Sequence, residues 1–417
     1  MLMLKARPAV LAGGLALAIG FPAHAQMLGN PGEVGLLDLL PGIPGANRVN
    51  VTLSGTATYD TNVSHEGASE AALQGLHQSD VVYSPTATVD ILQPFGRGSA
   101  SLSGTASYNF YERNTVLNRE ALDLKAALKH PVSICNLTLS GDYQRGLDQL
   151  PNVTSAQVRD TYTNGHVKFD GQCGRPVGIA PIFSVSESWT DNSEKAFEAS
   201  NAHTVGATAG LSYQSPVSGV LSVSGVYQKT TYPGIRAGDG ALRNNNYDTD
   251  AVNVKYVRTL GARIQGSVSA SYTTVSSSQS SDFQGLTYEA DLSYRASSRL
   301  NLEGSFNREV IPSNLIGASY QLQTDLTGRI NYQIGPRLAF SVGASQQVGD
   351  EEGIPAELAQ LVPLSHYDMR SVFSSLKVSL IRRVTCTFDV QNDLRTTNQA
   401  QFNYSDTRAS VTLSAQF

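Results

Sequence analysis

Apolar and polar residues alternate with a period of two along most of this chain. In the stretch 135–144, Leu137, Leu139, Gly141 and Tyr143 share one face, and Thr138, Ser140, Asp142 and Gln144 share the other. Further on, Leu286, Tyr288, Ala290, Leu292 and Tyr294 alternate with Thr287, Glu289, Asp291, Ser293 and Arg295. Leu300, Leu302, Gly304 and Phe306 do the same with Asn301, Glu303, Ser305 and Asn307. Successive side chains of a strand point to opposite sides, so the pattern describes strands whose two faces meet different surroundings. The connections alternate too. Short segments lie at 93–98, 130–133, 174–178, 215–219, 259–262, 297–299, 335–336 and 382–383, and all but the Arg382-Arg383 pair carry Gly, Pro or Ser. Longer polar segments lie at 60–76, 146–156, 191–200, 232–246, 276–282, 349–364 and 395–403. Eight short turns joining nine hairpins predict eighteen strands, from 48–59 to 405–417, with sixteen as the nearest alternative count.

These features predict an all-β fold, a transmembrane antiparallel up-and-down β-barrel with lipid on its apolar side and water on its polar side. A soluble sandwich or solenoid would instead bury the apolar faces against a second layer. Strand length favours the barrel, because about ten residues are needed to cross a bilayer at a tilt. So do aromatic residues near strand ends, which suit the lipid–water boundary: Tyr59, Tyr108, Phe110, Tyr111, Trp189, Tyr213, Tyr227, Tyr247, Tyr272 and Tyr404. Residues 1–25 read as a secretory signal peptide. Lys5 and Arg7 precede the apolar run 10–21, and Ala23-His24-Ala25 sets cleavage between Ala25 and Gln26. Residues 26–47, broken by Pro and Gly, read as a periplasmic arm: a disordered leader, a plug or a docking peptide. The barrel then occupies 48–417, in a bacterial outer membrane reached through the periplasm. Val411, Leu413, Ala415 and Phe417 share a face of the last strand. That ending resembles the terminal motif of outer-membrane barrels, which makes Phe417 the expected signal to the barrel-assembly machinery.

Composition agrees with a wall between two solvents. Hydrophobic residues are 41% and charged residues 16% of the chain, with 18 Tyr and 37 Gly. A formal net charge of −5 gives no reason to expect nucleic acid as a partner. Strand parity turns Asp123, Lys125, Asp142, Lys168, Asp170, Lys255, Glu289, Asp291, Arg295, Glu303, Asp325, Arg329, Lys377 and Asp389 towards the lumen. Acids and bases are mixed, unlike the basic ring that a polyanion pore would favour. Ser, Thr, Asn and Gln supply the rest, a lining suited to neutral polyhydroxyl solutes or simply to hydrating the lumen. The acidic segment 349–364 reads most plainly as a solvated outer loop; the alternatives are an inward constriction, or a place outside that bridges lipopolysaccharide through divalent cations.

Cys135 begins the fifth predicted strand and Cys173 closes the sixth. The hairpin register sets them opposite each other at the periplasmic end, where an oxidising compartment predicts a disulfide. No cofactor is expected, and no metal-ligand spacing stands out. His77 with Ser79 and Asp80, and His366 with Asp368, are local clusters whose neighbours alternate between faces. Neither makes a catalytic triad, so an outer-membrane hydrolase is the least favoured reading.

Tyr59-Asp60-Thr61-Asn62-Val63 and Ser79-Asp80-Val81-Val82-Tyr83-Ser84-Pro85 resemble the opening of the "putative β-barrel porin 2" family. The resemblance implies a porin-like channel associated with exopolysaccharide or capsule export components, and a saccharide solute. As architecture alone, the size also resembles the eighteen-stranded alginate export porin. The alternative is a non-conducting barrel that serves a secretion complex or cell-surface adhesion.

Overall fold

The computed structural model describes residues 47–65, 71–72, 75–147, 160–175, 177–235, 246–277, 282–313, 318–352 and 365–417. The stretch 1–25 expected to be a signal peptide, nearly all of the expected arm, and most of the segments 146–156, 232–246 and 349–364 lie outside these residues. The strands are β1 (Arg48–Asp60), β2 (Asp80–Phe95), β3 (Gly98–Tyr111), β4 (Arg119–Val132), β5 (Cys135–Leu147) and β6 (Thr161–Cys173). Next come β7 (Gly178–Asn192), β8 (Ala202–Ser215), β9 (Gly219–Thr231), β10 (Tyr247–Leu260), β11 (Ile264–Ser277) and β12 (Phe283–Arg295). The last six are β13 (Leu300–Pro312), β14 (Tyr320–Gln333), β15 (Leu338–Glu352), β16 (His366–Ile381), β17 (Val384–Thr397) and β18 (Tyr404–Gln416). Each strand pairs antiparallel with its chain neighbours, and β18 closes on β1, giving an eighteen-stranded closed barrel.

The seam between β1 and β18 runs from Thr52 opposite Gln416 to Asp60 opposite Arg408. Phe417 continues it, its N–H donating to Val51 O at 2.8 Å. Alternation decides the two faces. Leu53, Leu124, Leu139, Leu211, Val223, Val254, Leu326, Ile330 and Leu413 are exposed on the outside. So broad an apolar surface is unfavourable in water and is stabilised by hydrocarbon. Tight turns gather at one end, the turn rim, where Gly219 and Gly261 hold φ of 89° and 62°. A side chain there would strain the left-handed backbone. The longer connections form the opposite end, the loop rim. No helix among the described residues is long and apolar enough to cross a membrane.

Cys135 and Cys173 are register partners at the start of β5 and the end of β6, and their sulfurs are bonded.

Two details depart from expectation. Gly349, Asp350, Glu351 and Glu352 extend β15 instead of opening a loop. Their ladder partners on β14, Gln323 back to Tyr320, satisfy the backbone there. Among the aromatics, Tyr59, Tyr108, Phe110, Tyr213, Tyr227 and Tyr272 are exposed, but Tyr111 and Tyr247 are buried. Both belong to the inward parity of β3 and β10, so they join cores beneath the loops instead of an outer girdle.

One strand pair is incomplete. β12 and β13 pair only from Arg295 opposite Asn301 up to Tyr288 opposite Arg308. Beyond that, β12 continues to Phe283 paired with β11 alone, and β13 continues to Pro312 paired with β14 alone. The loop-rim end of the β13–β14 hairpin therefore leaves the wall.

Candidate functional site: the lumen and its mouth

The departing hairpin folds onto the inner side of the barrel. The rings of Tyr320 at its tip and Tyr247 of β10 lie 5.7 Å apart, across the tops of the intervening strands. Tyr247, Val275, Ala202, Tyr232 and Tyr320 form one buried cluster, with Ile235, Phe283 and Val310 packed against it. Tyr232, just past β9, fastens the arrangement. Its hydroxyl donates to Ser319 O at 2.6 Å and accepts from Ser313 N at 3.1 Å. Burial pushes this phenol well above its ordinary pKa, and neighbouring Tyr247 adds to the shift, so it remains a donor. Gly234 lies so close to Glu198 that a Cβ would sit 1.5 Å from the Glu198 carbonyl oxygen. The connection after β9 thus rests on the 3₁₀ turn Lys195–Ser200 on one side and the hairpin on the other.

Behind the hairpin, Ser313 Oγ donates to buried Glu351 at 2.6 Å, and Gln321 Nε2 donates to the Tyr367 hydroxyl at 2.7 Å. Gln323 Nε2 donates to Asp325 at 2.7 Å, and Arg395 lies over the Tyr367 ring at 5.1 Å. These groups were not recognisable as one site, because they come from the ends of five strands, β13 to β17. The inward parity of Tyr247 and Val275 was the available signal: large apolar side chains on a water face need a cover.

Below the mouth, hydroxyl and amide side chains line the inner wall. Thr204 and Thr230 bond at 2.8 Å, Asn253 donates to Ser271 at 2.7 Å, and Thr273 bonds Thr287 at 2.8 Å. The charges predicted to face the lumen sort into neutralising contacts. Lys168 meets Asp170 at 3.0 Å, Lys255 meets Glu289 at 3.5 Å, and Lys125 meets Asp123 at 3.9 Å. Asp142 meets His166 at 3.2 Å, Ser267 donates to Asp291 at 3.2 Å, and Ser410 donates to Asp389 at 3.5 Å. Glu303 faces Arg329 in register and accepts from Asn301 at 2.7 Å, while Arg329 lies 5.2 Å from the Phe373 ring centre. Arg295 sits exposed at the turn rim, and Lys377 is half-buried opposite Thr387. The structure does not collect these residues into one centre; it spreads them around the wall. Near the turn rim, Arg48, Asp90, Ser103, Lys125, Ser140 and Asp142 line a shallow cavity of about 400 Å³.

The histidine clusters disperse as well. His366 pairs with Asp350 at 2.7 Å, while Asp368 pairs with Arg370 at 2.7 Å. Asp80 receives backbone N–H groups from Val81, Arg113 and Asn114 at 2.8–3.2 Å.

A closed antiparallel barrel, apolar outside and polar within, defines a porin-like outer-membrane β-barrel. Within that class, residues 256–417 match the family described as "Putative beta-barrel porin 2". The opening motif that carries the same resemblance lies outside the matched residues. No curated protein sequence matches the chain. Among solved structures, OccK2 (OpdF) of Pseudomonas aeruginosa in complex with glucuronate is similar at 10% identity and a TM-score of 0.47, covering 89% of this chain and 98% of that one. A BenF-like porin from Pseudomonas fluorescens Pf-5 is similar at 10% identity and 0.45, covering 90% and 100%. OccAB3 of Acinetobacter baumannii is similar at 9% and 0.44, covering 89% and 100%. Likeness this distant assigns nothing to the lumen of this chain.

Proposed function

We propose that the protein is a diffusive channel for small, uncharged polyhydroxyl solutes, narrowed at its loop rim by the β13–β14 hairpin. The observation that carries this reading is the charge pairing along a hydroxyl-lined wall. Lys168 with Asp170 and Lys255 with Glu289 cancel locally, so no single-sign field drives an ion through. Ser, Thr and Asn groups exchange hydrogen bonds with sugar hydroxyls without desolvating a charge. A saccharide solute, and a place beside exopolysaccharide export components, extend this reading on the strength of the family resemblance. Liposome swelling tests it: neutral mono- and disaccharides are expected to enter faster than sugar acids of equal size. Equal exclusion of all of them opposes the proposal.

A second reading is favoured by the Tyr232 fastening. A mouth held by two buried hydrogen bonds and an aromatic cluster suits a barrel that stays closed and presents its loops to a partner. Silent but correctly folded protein in a planar bilayer supports this reading over the first.

A further inference from the structure

The opening motif builds a second site, away from the lumen wall just described. Asp60 ends β1, and its Oδ1 accepts the Asn62 N–H at 2.7 Å, which turns the chain at once. Thr61 then bridges the seam. Its hydroxyl donates to Asp406 Oδ1 at 3.1 Å, and Thr407 N donates back to it at 2.7 Å. Four residues after Thr61, His65 adopts a left-handed φ of 52°, uncommon for a residue other than glycine. That turn aims its imidazole back at β18. The ring stacks on Tyr404 at 5.2 Å, and Nε2 lies 3.5 Å from Asp406 Oδ2.

Asp60, His65 and Asp406 are all buried, and one donor atom from each lies within 4.8 Å of the others. Asp406 is 1% exposed, and its Oδ2 accepts no hydrogen bond, although Arg408 Nε lies 3.1 Å away. The local charge is also unbalanced. Buried Asp60, Asp393 and Asp406 surround one guanidinium, Arg408, whose terminal nitrogen is committed to Asp393. Across β1–β2, Asp80 faces Asp60, but backbone N–H groups already solvate it. Arg408 offsets part of this charge, and the Asp60 and Asp406 carboxyl groups remain crowded beside a ring nitrogen in a dry site, an arrangement that a divalent cation stabilises.

We propose that Asp60, His65 and Asp406 bind one divalent transition-metal ion, of the zinc or manganese type, across the seam where the last strand closes on the first. An imidazole with two carboxylates suits such ions, whereas calcium takes oxygen ligands. Tetrahedral zinc holds its ligand atoms about 3.4 Å apart, a spacing that His65 and Asp406 already approach. Asp60 closes the remainder by a side-chain rotation, and water takes the fourth position. The ion ties β1 to β18 at the loop rim, where no covalent link joins the two ends of the sheet.

The test uses the full folded barrel in detergent, stripped with a chelator, then incubated separately with zinc, manganese or calcium chloride and desalted. Bound metal is measured by mass spectrometry. One zinc or manganese per chain is expected. His65→Ala and Asp406→Asn are each expected to weaken retention by more than roughly tenfold, whereas His203→Ala on the outer face leaves it unchanged. His65 lies in a connection, and heat-modifiable gel migration confirms that its variant is folded. Zinc is also expected to raise the unfolding temperature of the wild type and not of His65→Ala. No retained metal, retention equal in His65→Ala, or retention of calcium alone overturns the proposal. None of these results bears on whether the lumen conducts.

Discussion

At the scale of single residues, partnership decides what each charge does. Lys255 and Glu289 face each other across β10, β11 and β12 with little solvent access. Glu289→Gln leaves the ammonium with Asp291, which also interacts with it electrostatically. The variant is expected to lose about 1–3 kcal/mol of stability, less than for a fully isolated buried charge. It is also expected to shift the reversal potential in a salt gradient towards anion permeation. An unchanged reversal potential would show that this pair does not face the conduction path. Asp80 acts differently, because its carboxylate gathers backbone N–H groups from the connection after β3. Asp80→Ala leaves those donors unsatisfied and is expected to lower stability by roughly 1–3 kcal/mol, read from the unfolding midpoint. Parity in the sequence showed which side such residues face. It did not show their partners, since Lys168 and Asp170 pair along one strand while Lys255 and Glu289 pair across an intervening one.

At the scale of elements, the strand pattern was legible almost throughout, because a two-residue period survives every local propensity. β1 to β18 follow it, and the disulfide position follows from the β5–β6 register. Thiol counting checks that bond: unreduced, denatured protein is expected to expose Cys386 alone, and three reactive thiols would contradict it. The departure of β13 from β12 was not legible. Beyond Tyr288 and Arg308 the alternation lapses, with Phe283 and Ile311 on the inward parity, but a lapse near strand ends does not say where the hairpin goes. What ends it is distant packing of Tyr320 on Tyr247, a contact that a short sequence window does not contain. The acidic run after Gly349 misled for the same reason, since Glu351 is buried against Ser313 of another hairpin. Tyr232→Phe removes both hydrogen bonds that fasten the hairpin. It is expected to weaken the fastening by about 1–3 kcal/mol and to raise single-channel current. Gly234→Ala is expected to act in the same direction by pushing the connection off Glu198. Unchanged current in both variants would mean that the hairpin does not narrow the path.

At the scale of the whole molecule, an apolar exterior and a hydroxyl-rich interior follow from one alternation closed into a ring. An eighteen-stranded barrel is wide enough for an aqueous path unless its mouth is filled. In the proposed function the hairpin narrows that mouth, and the paired charges leave the path without a strong sign. The most direct measurement is planar-bilayer recording of the purified, folded barrel under a potassium chloride gradient. Discrete openings with a reversal potential near zero are expected, and larger openings in Tyr232→Phe. A folded barrel that never conducts, wild type and variant alike, or one with strong selectivity for either ion, would contradict the proposed function.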